Sequence, residues 1–367
     1  MHSEDLFESV PNFSEGRRPD VIDAIARGAA RAHMLDVDPD RDHNRVVVSV
    51  AGQKARLIEG LIAAVGAAVE HIDVRSHEGV HPRVGGADVV PIVPLGQTSL
   101  ASGREVAREI AERIWAELRV PVYLYGDGRT LADIRAGRAL PDLGGPEHHP
   151  IAGAVSVGAR LPLVAFNVLL PETDVAAARA LARSLREARS GMRGVQALVF
   201  ELPGGRVQLS MNLFRIDETP PAAVIAELER RGVPLGVQQV VGLCPAGVAN
   251  EAAAGRLLEG RLAAAAARAG AARCRELGGE EHMALARRLD REVNELAALG
   301  VDQGEVLSGA ERTAALTPVL RAGRVLDEEL ESMLGVAAAG LRAAISEATA
   351  AAHAARMVAL DRRIPQV

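Results

Sequence analysis

HEGVHPRVGGADVVPIVPL, residues 77–95, is the stretch on which the fold turns. His77 and His81 stand four residues apart, a spacing that would stack both imidazoles on one face of a helix. Gly79, Pro82, Gly85 and Gly86 rule that helix out, because glycine loosens the backbone and proline removes a helical donor. The apolar residues Val89–Pro94 then read as a short buried strand. The histidines are therefore expected in a turn that feeds a core strand, where rigid scaffolds display reactive groups.

Outward from that strand the chain alternates. Asp20–Ala32 reads as a helix opened by Pro19, residues 43–52 as a strand and Ala55–Glu70 as an amphipathic helix. Arg104–Leu118 is a further helix and residues 120–125 a further strand. A second α/β pattern follows, with a strand at 163–170, a helix from Asp174 and a hairpin turning at Pro203-Gly204-Gly205. A last helix of this half opens at Thr219-Pro220-Pro221. Strands interleaved with helices imply layered α/β units, and two such halves place the default site in a cleft between them. From about Asn250 strand signals stop. Leu285, Leu289, Val293 and Leu296 recur at helical spacing, as do Leu330, Met333, Ala337 and Leu341, which predicts an all-helical appendage used for packing or self-association.

The fold class is thus α/β (α+β), with expected domains at 1–162, 163–267 and 268–367. The core must be aliphatic, since only 2% of residues are aromatic. A net charge of −6 argues against binding nucleic acid through its phosphates. Two cysteines in no CxxC pair fit a reducing cytoplasm, and no run of apolar residues is long enough for a membrane span. The segment MHSEDLFESVPNF has no basic start or apolar stretch, so no signal peptide is expected.

Several candidate sites keep two readings. The acidic run Asp36–Asp42 fails as a calcium loop, because Arg41 and Val47 occupy the places that need Gly and Glu. Asp36 and Asp38 either share a cleft-facing side of a strand or end it in solvent. His77 and His81 lack further ligands for a metal, so no metal is expected. A neutral imidazole acting as general base suits His81, with Arg83 and Asp88 nearby. The glycine- and proline-rich loop around His148 and His149 is either a ligand loop or a linker.

Six stretches together resemble the formiminotransferase family. They are VPNFSEGR at 10–17, LDVD…HNR at 35–45, HEGVHPRVGGADVVPIVP at 77–94, VPVYLYG at 120–126, GAR…LVAFN at 158–167 and QQVVGLCP at 238–245. The resemblance implies transfer of a formimino group from N-formimino-L-glutamate to tetrahydrofolate. It also implies a tunnel between two α/β subdomains and a homodimer. It makes His81, of the His-Pro-Arg triplet, the catalytic histidine. It puts folate on Gly144, Gly145, Pro146, Glu147, His148, His149, Pro150, Ile151, Ala152 and Gly153. Ala152 stands where some relatives carry an aromatic residue. Charge alone adds Asp36 or Asp38 for the cationic amidine, and Arg45, Arg83 and Arg160 for substrate carboxylates. The tail shows no glycine run of the cyclodeaminase type, so that activity is not expected. A sister transferase acting on another amine, or a non-catalytic folate-binding protein, are the alternatives.

Overall fold

The computed structural model describes residues 5–126 and 128–361, with backbone alone from 349 onward, so the end of the C-terminal extension at 362–367 lies outside it. The chain divides into two compact units, 1–243 and 244–367.

The first unit holds two sheets. The larger is assembled from β1 (Leu6–Ser9), β2 (Asn12–Phe13), β3 (His33–Asp40), β4 (Arg45–Gln53), β5 (Ala87–Leu95), β6 (Val122–Tyr125) and β7 (Val155–Ala159). β1 and β2 are two pieces of one lane, since both run antiparallel to β4 on one side and to β5 on the other. β3 pairs with the far edge of β4, while β7 runs parallel to both β5 and β6. All of β5 is buried, although Pro91 and Pro94 each withhold a ladder donor. Its apolar residues leave no face for water, as a strand covered on both sides requires.

Helices α1 (Pro19–Ala29), α2 (Lys54–His71) and α3 (Leu100–Arg113) accompany this sheet. Pro19 starts α1 where its missing N–H costs nothing. α2 buries Leu57, Ile58, Leu61, Ile62, Val65 and Ala68 at steps of one, three and four residues, the stripe of a core-facing helix. α3 is capped by the Ser99 side chain and passes into a π-helical turn at Ile114–Leu118. The short α4 (Leu131–Arg135) opens with a reciprocal Thr130–Asp133 capping box.

The second sheet has the order β11-β8-β10-β9, all antiparallel, from β8 (Val164–Leu169), β9 (Val195–Leu202), β10 (Arg206–Leu213) and β11 (Gln238–Val241). The hairpin between β9 and β10 turns at the expected Pro-Gly-Gly. Helices α5 (Val175–Leu185), capped by Asp174, and α6 (Pro221–Arg230) belong to this half.

The second unit is helical through α7 (Leu258–Leu277), α8 (Glu280–Ala297), α9 (Gln303–Ala322) and α10 (Glu328–Asp361). α7 packs on α8, and α10 packs on both α7 and α9. Leu289, Leu296, Leu330, Met333, Ala337 and Leu341 are buried, while Leu285 and Val293 of the first stripe are half-buried. Among the described residues no helix is long and apolar enough to cross a membrane.

Candidate functional site

The loop that bears His81 is held by side chains from the start of β4. Asn44 adopts a left-handed backbone with φ 49°, a conformation asparagine tolerates better than most residues. Its side chain donates to the Glu78 carbonyl at 2.8 Å and accepts from the Gly16 N–H at 2.9 Å. Its own carbonyl meets His77 Nε2 at 3.1 Å. Gly16 must be glycine, because a Cβ there would lie 2.1 Å from the Asp40 carbonyl oxygen. Arg83 donates to the carbonyls of His77 and Gly79 at 3.3 and 2.6 Å, which closes the loop on itself.

Arg45 stands at the centre. Its Nε donates to Asn12 Oδ1 at 2.8 Å, and its guanidinium lies 3.0 Å from Asp88, which is fully buried. Arg135, at the end of α4, reaches the same carboxylate at 2.7 Å, and the Val84 N–H caps its other oxygen at 2.8 Å. Burial alone would raise the Asp88 carboxyl, but Arg45 and Arg135 outweigh it and hold the group below the usual range.

The Nη1 of Arg45 also approaches His81 Nδ1 to 2.7 Å. A guanidinium only donates, so this contact needs a lone pair on Nδ1 and leaves the proton on Nε2. The Pro82 carbonyl lies 2.8 Å from the same Nδ1 and asks for the opposite tautomer. The two partners are alternatives, one per tautomer. Burial first, then the charges of Arg45 and Arg135, push the His81 imidazolium down to about 3. The ring is therefore neutral at physiological pH, well below the ordinary value expected from its sequence context.

A second imidazole adjoins it. His43 Nδ1 lies 2.8 Å from Asp40 Oδ2, and the His43 backbone N–H donates to Asp40 Oδ1 at 2.9 Å. Burial opposes the Asp40 charge, but the bonds from His43 hold its carboxyl below the usual value. The centroids of His43 and His81 are 6.4 Å apart, and Phe200 of β9 touches both, at 5.1 and 5.6 Å. A cleft of about 420 Å³ opens beside Asp40 and is walled by Asn167, Gln208 and Gln239 of the second sheet. Gln208 Oε1 is buried there without a partner.

The loop 144–153 is zipped to the strand that follows His81. Gly86 N–H donates to the Ala152 carbonyl at 2.9 Å, Ala154 N–H to Val84 at 3.0 Å, and Gly85 bridges Gly153. Gly144 has φ 96°, and a Cβ on it would come within 2.9 Å of the Trp115 ring. His148 Nε2 meets the Tyr123 hydroxyl at 2.7 Å. His149 Nδ1 accepts from Ala152 N–H at 3.0 Å, so it shapes the turn, and Ala152 is 2% exposed. Gly145 has open space around the position of a Cβ.

The remaining expected residues scatter. Asp36 sits on β3 opposite Ser49. Asp38 Oδ2 accepts from the Gly242 N–H at 3.0 Å, tying β3 to the end of β11. Arg160 follows β7, where it donates to the Leu161 carbonyl at 3.0 Å and meets Tyr125. His77 and His81 take separate partners, Asn44 and Arg45, rather than converging on a common point. Sequence reasoning assigned no role to Asp40, His43, Asn44, Arg135 or Phe200. The three-residue Asp40–His43 spacing, directly before Asn-Arg, was a usable signal; Phe200 comes from a distant strand and offered none.

Comparison with known proteins places the chain among named relatives. Residues 6–160 match the family described as formiminotransferase domain, N-terminal subdomain. The chain is 35% identical to a glutamate formimidoyltransferase of Streptococcus pyogenes serotype M1, over 66% of this chain and 89% of that protein. It is 35% identical to a glutamate formimidoyltransferase of Thermoplasma acidophilum, over 65% of this chain and 88% of that one. A formimidoyltransferase-cyclodeaminase of Rattus norvegicus is 36% identical over 68% of this chain, but the match spans only 52% of that longer protein.

Proposed function

The chain belongs to the formiminotransferase family, and we propose that it transfers a formimino group from N-formimino-L-glutamate to tetrahydrofolate, releasing L-glutamate. The observation that carries this reading is the backbone zipper between residues 84–86 and 152–154. It sets the stretch proposed to hold the folate directly against the loop of His81. Glycine at 145, with open space about it, leaves room for a ligand to approach the backbone.

In this reading His81 faces the reacting amidine. Arg45, Arg83 and Arg135 surround the single carboxylate of Asp88, so the site carries surplus positive charge that suits the carboxylates of the donor. Arg45 is the clamp nearest the imidazole; Asp38 acts on the Gly242 amide and positions the second sheet. The reading includes a cytoplasmic homodimer and no metal. Cyclodeamination forms no part of it.

A second reading, transfer to another amine acceptor, draws on Ala152. This small side chain is packed inside, where some relatives offer an aromatic surface, so position 152 gives no stacking partner for a pterin. Purified protein mixed with N-formimino-L-glutamate and tetrahydrofolate should yield L-glutamate and a formimino-folate by mass spectrometry. Glutamate release only with a different amine would select the second reading, and no transfer to any amine would sink both.

A further inference from the structure

β10 is an interior strand, paired with β9 on one side and β8 on the other. Its alternate residues Val207, Leu209 and Met211 are apolar and buried, as a covered sheet face requires. The residues between them are polar. Gln208 stands directly across the ladder from Phe200, and Ser210 from Asn167, which in turn stands opposite Gln239. Directly opposed side chains share a face, so the register alone sets three carboxamides and Phe200 on one side of the sheet. The carboxamides wall the cleft of about 420 Å³, and the Phe200 centroid is 5.6 Å from that of His81. Gln208 is 5% exposed, and its Oε1 is buried without a partner. An interior acceptor left unmade costs stability that a leucine would not, so this atom asks for a donor from outside the chain. Leu169, Leu202 and Val237 add apolar walls. The charged lining is balanced, Asp40 and Asp42 against Arg41 and Arg206, and Asp42 holds Arg206 at 2.6 Å. A dicarboxylate gains nothing from such a cleft and belongs with the surplus charge around Arg45. A flat neutral ring with a hydrogen-bonding edge fits it.

We propose that Gln208 sets acceptor specificity by reading the 2-amino-4-oxopyrimidine edge of a reduced pterin seated in this cleft. The proposal rests on the formimino-transfer reading for the identity of the acceptor. On that edge a ring nitrogen with a lone pair stands beside an exocyclic amino group. A carboxamide matches the two together: Oε1 accepts from the amino group and Nε2 donates to the ring nitrogen, as glutamine reads adenine. Asn167 and Gln239, in the next row of the same face, supply amides for the remaining ring N–H and carbonyl. The reacting amine lies on the other ring of the pterin, which this seating turns past Phe200 toward His81. The tail of the acceptor is then left to the 144–153 loop.

The test is calorimetric titration of the full chain, without donor, by tetrahydrofolate and by its 2-desamino-2-methyl analogue, which lacks the amino group. The wild type should bind tetrahydrofolate about 10–100-fold more tightly than the analogue, and Gln208→Leu should lose most of that preference. Loosened packing would weaken both ligands alike and leave the ratio standing. In steady-state turnover the variant's KM for tetrahydrofolate should rise by a similar factor, while KM for N-formimino-L-glutamate stays near wild type. Equal binding of the two ligands by the wild type, a measurement that needs no variant to fold, would overturn the proposal. So would an unchanged preference in Gln208→Leu, or a rise in KM for the donor alone, which would give the cleft to the donor. Absence of transfer in the wild type, with the binding preference intact, would remove the transferase reading alone.

Discussion

Arg45 and His81 meet through one nitrogen: the guanidinium lies 2.7 Å from Nδ1, and it also grips Asp88 at 3.0 Å. The imidazole thereby leans on a charge network buried beneath it rather than on solvent. Its folded-state proton affinity is depressed, to about 3, while an unfolded histidine titrates near 6.5. The unfolded chain therefore binds more protons below that value. The stability linked to His81 is fully present above about pH 6.5 and drains away as pH falls toward the folded value.

Replacing His81 with Ala should cut turnover about 10²–10⁴-fold and cost only about 1–2 kcal/mol of stability. It should also flatten the acid-side decline in stability between about pH 6.5 and 3. Steady-state kinetics and urea unfolding across pH are the measurements. Turnover near wild type would remove His81 from the site.

Asp88→Asn should be the most damaging single change at the site. It leaves Arg45 and Arg135 buried with no carboxylate between them, and breaking such a pair typically costs about 3–5 kcal/mol. Because the Asp88 carboxyl titrates below its unfolded value near 3.9, its contribution is present above that pH and lost only in stronger acid. Denaturant midpoints at neutral pH decide the matter; a loss under about 1 kcal/mol would mean the network does not support the loop.

The helical unit should respond to pH with the opposite slope. Glu259, 7% exposed, accepts from the Ala246 N–H at 2.8 Å, and burial pushes its carboxyl up to about 7. A raised carboxyl is stabilising below its unfolded value and loses that advantage as pH rises through the folded one. Glu259→Gln keeps the acceptor and removes the charge. Its thermal midpoint should rise at pH 8 and match wild type near pH 5 in calorimetry. Equal midpoints at pH 8 would show that Glu259 is hydrated.

Extensive chelation should leave transfer activity intact. His77 and His81 address different partners, and chemistry that moves a proton between nitrogens needs no Lewis acid. Stoichiometric zinc in the purified protein, with activity lost on its removal, would contradict this.

Much of this fold was legible because aliphatic periodicity dictates it. Leu57, Leu61, Val65 and Ala68 announce α2, and the unbroken apolar run at 89–94 announces β5, which the structure extends to Ala87–Leu95. β1 and β2 escaped because pieces of four and two residues carry no period. The five residues of α4 escaped for the same reason, although the Thr130–Asp133 box marked their start. The helix read as Arg104–Leu118 begins earlier, at Leu100, and changes hydrogen-bond pattern at Ile114, which composition does not encode. At the site, His81 and Arg45 were visible as residues but not as partners. Their meeting depends on how Asn44 folds the loop back, and Phe200 joins them only once the second sheet is in place.

The close seat of Gly144 on Trp115 gives the protein a built-in optical reporter. Trp115 is the single tryptophan of the chain, and the Arg119 guanidinium lies 5.4 Å from its ring centroid. Emission excited at indole wavelengths therefore comes from one place, the underside of the 144–153 loop. Any ligand that shifts this loop changes the surroundings of that indole, so occupancy can be followed by fluorescence on the unlabelled protein.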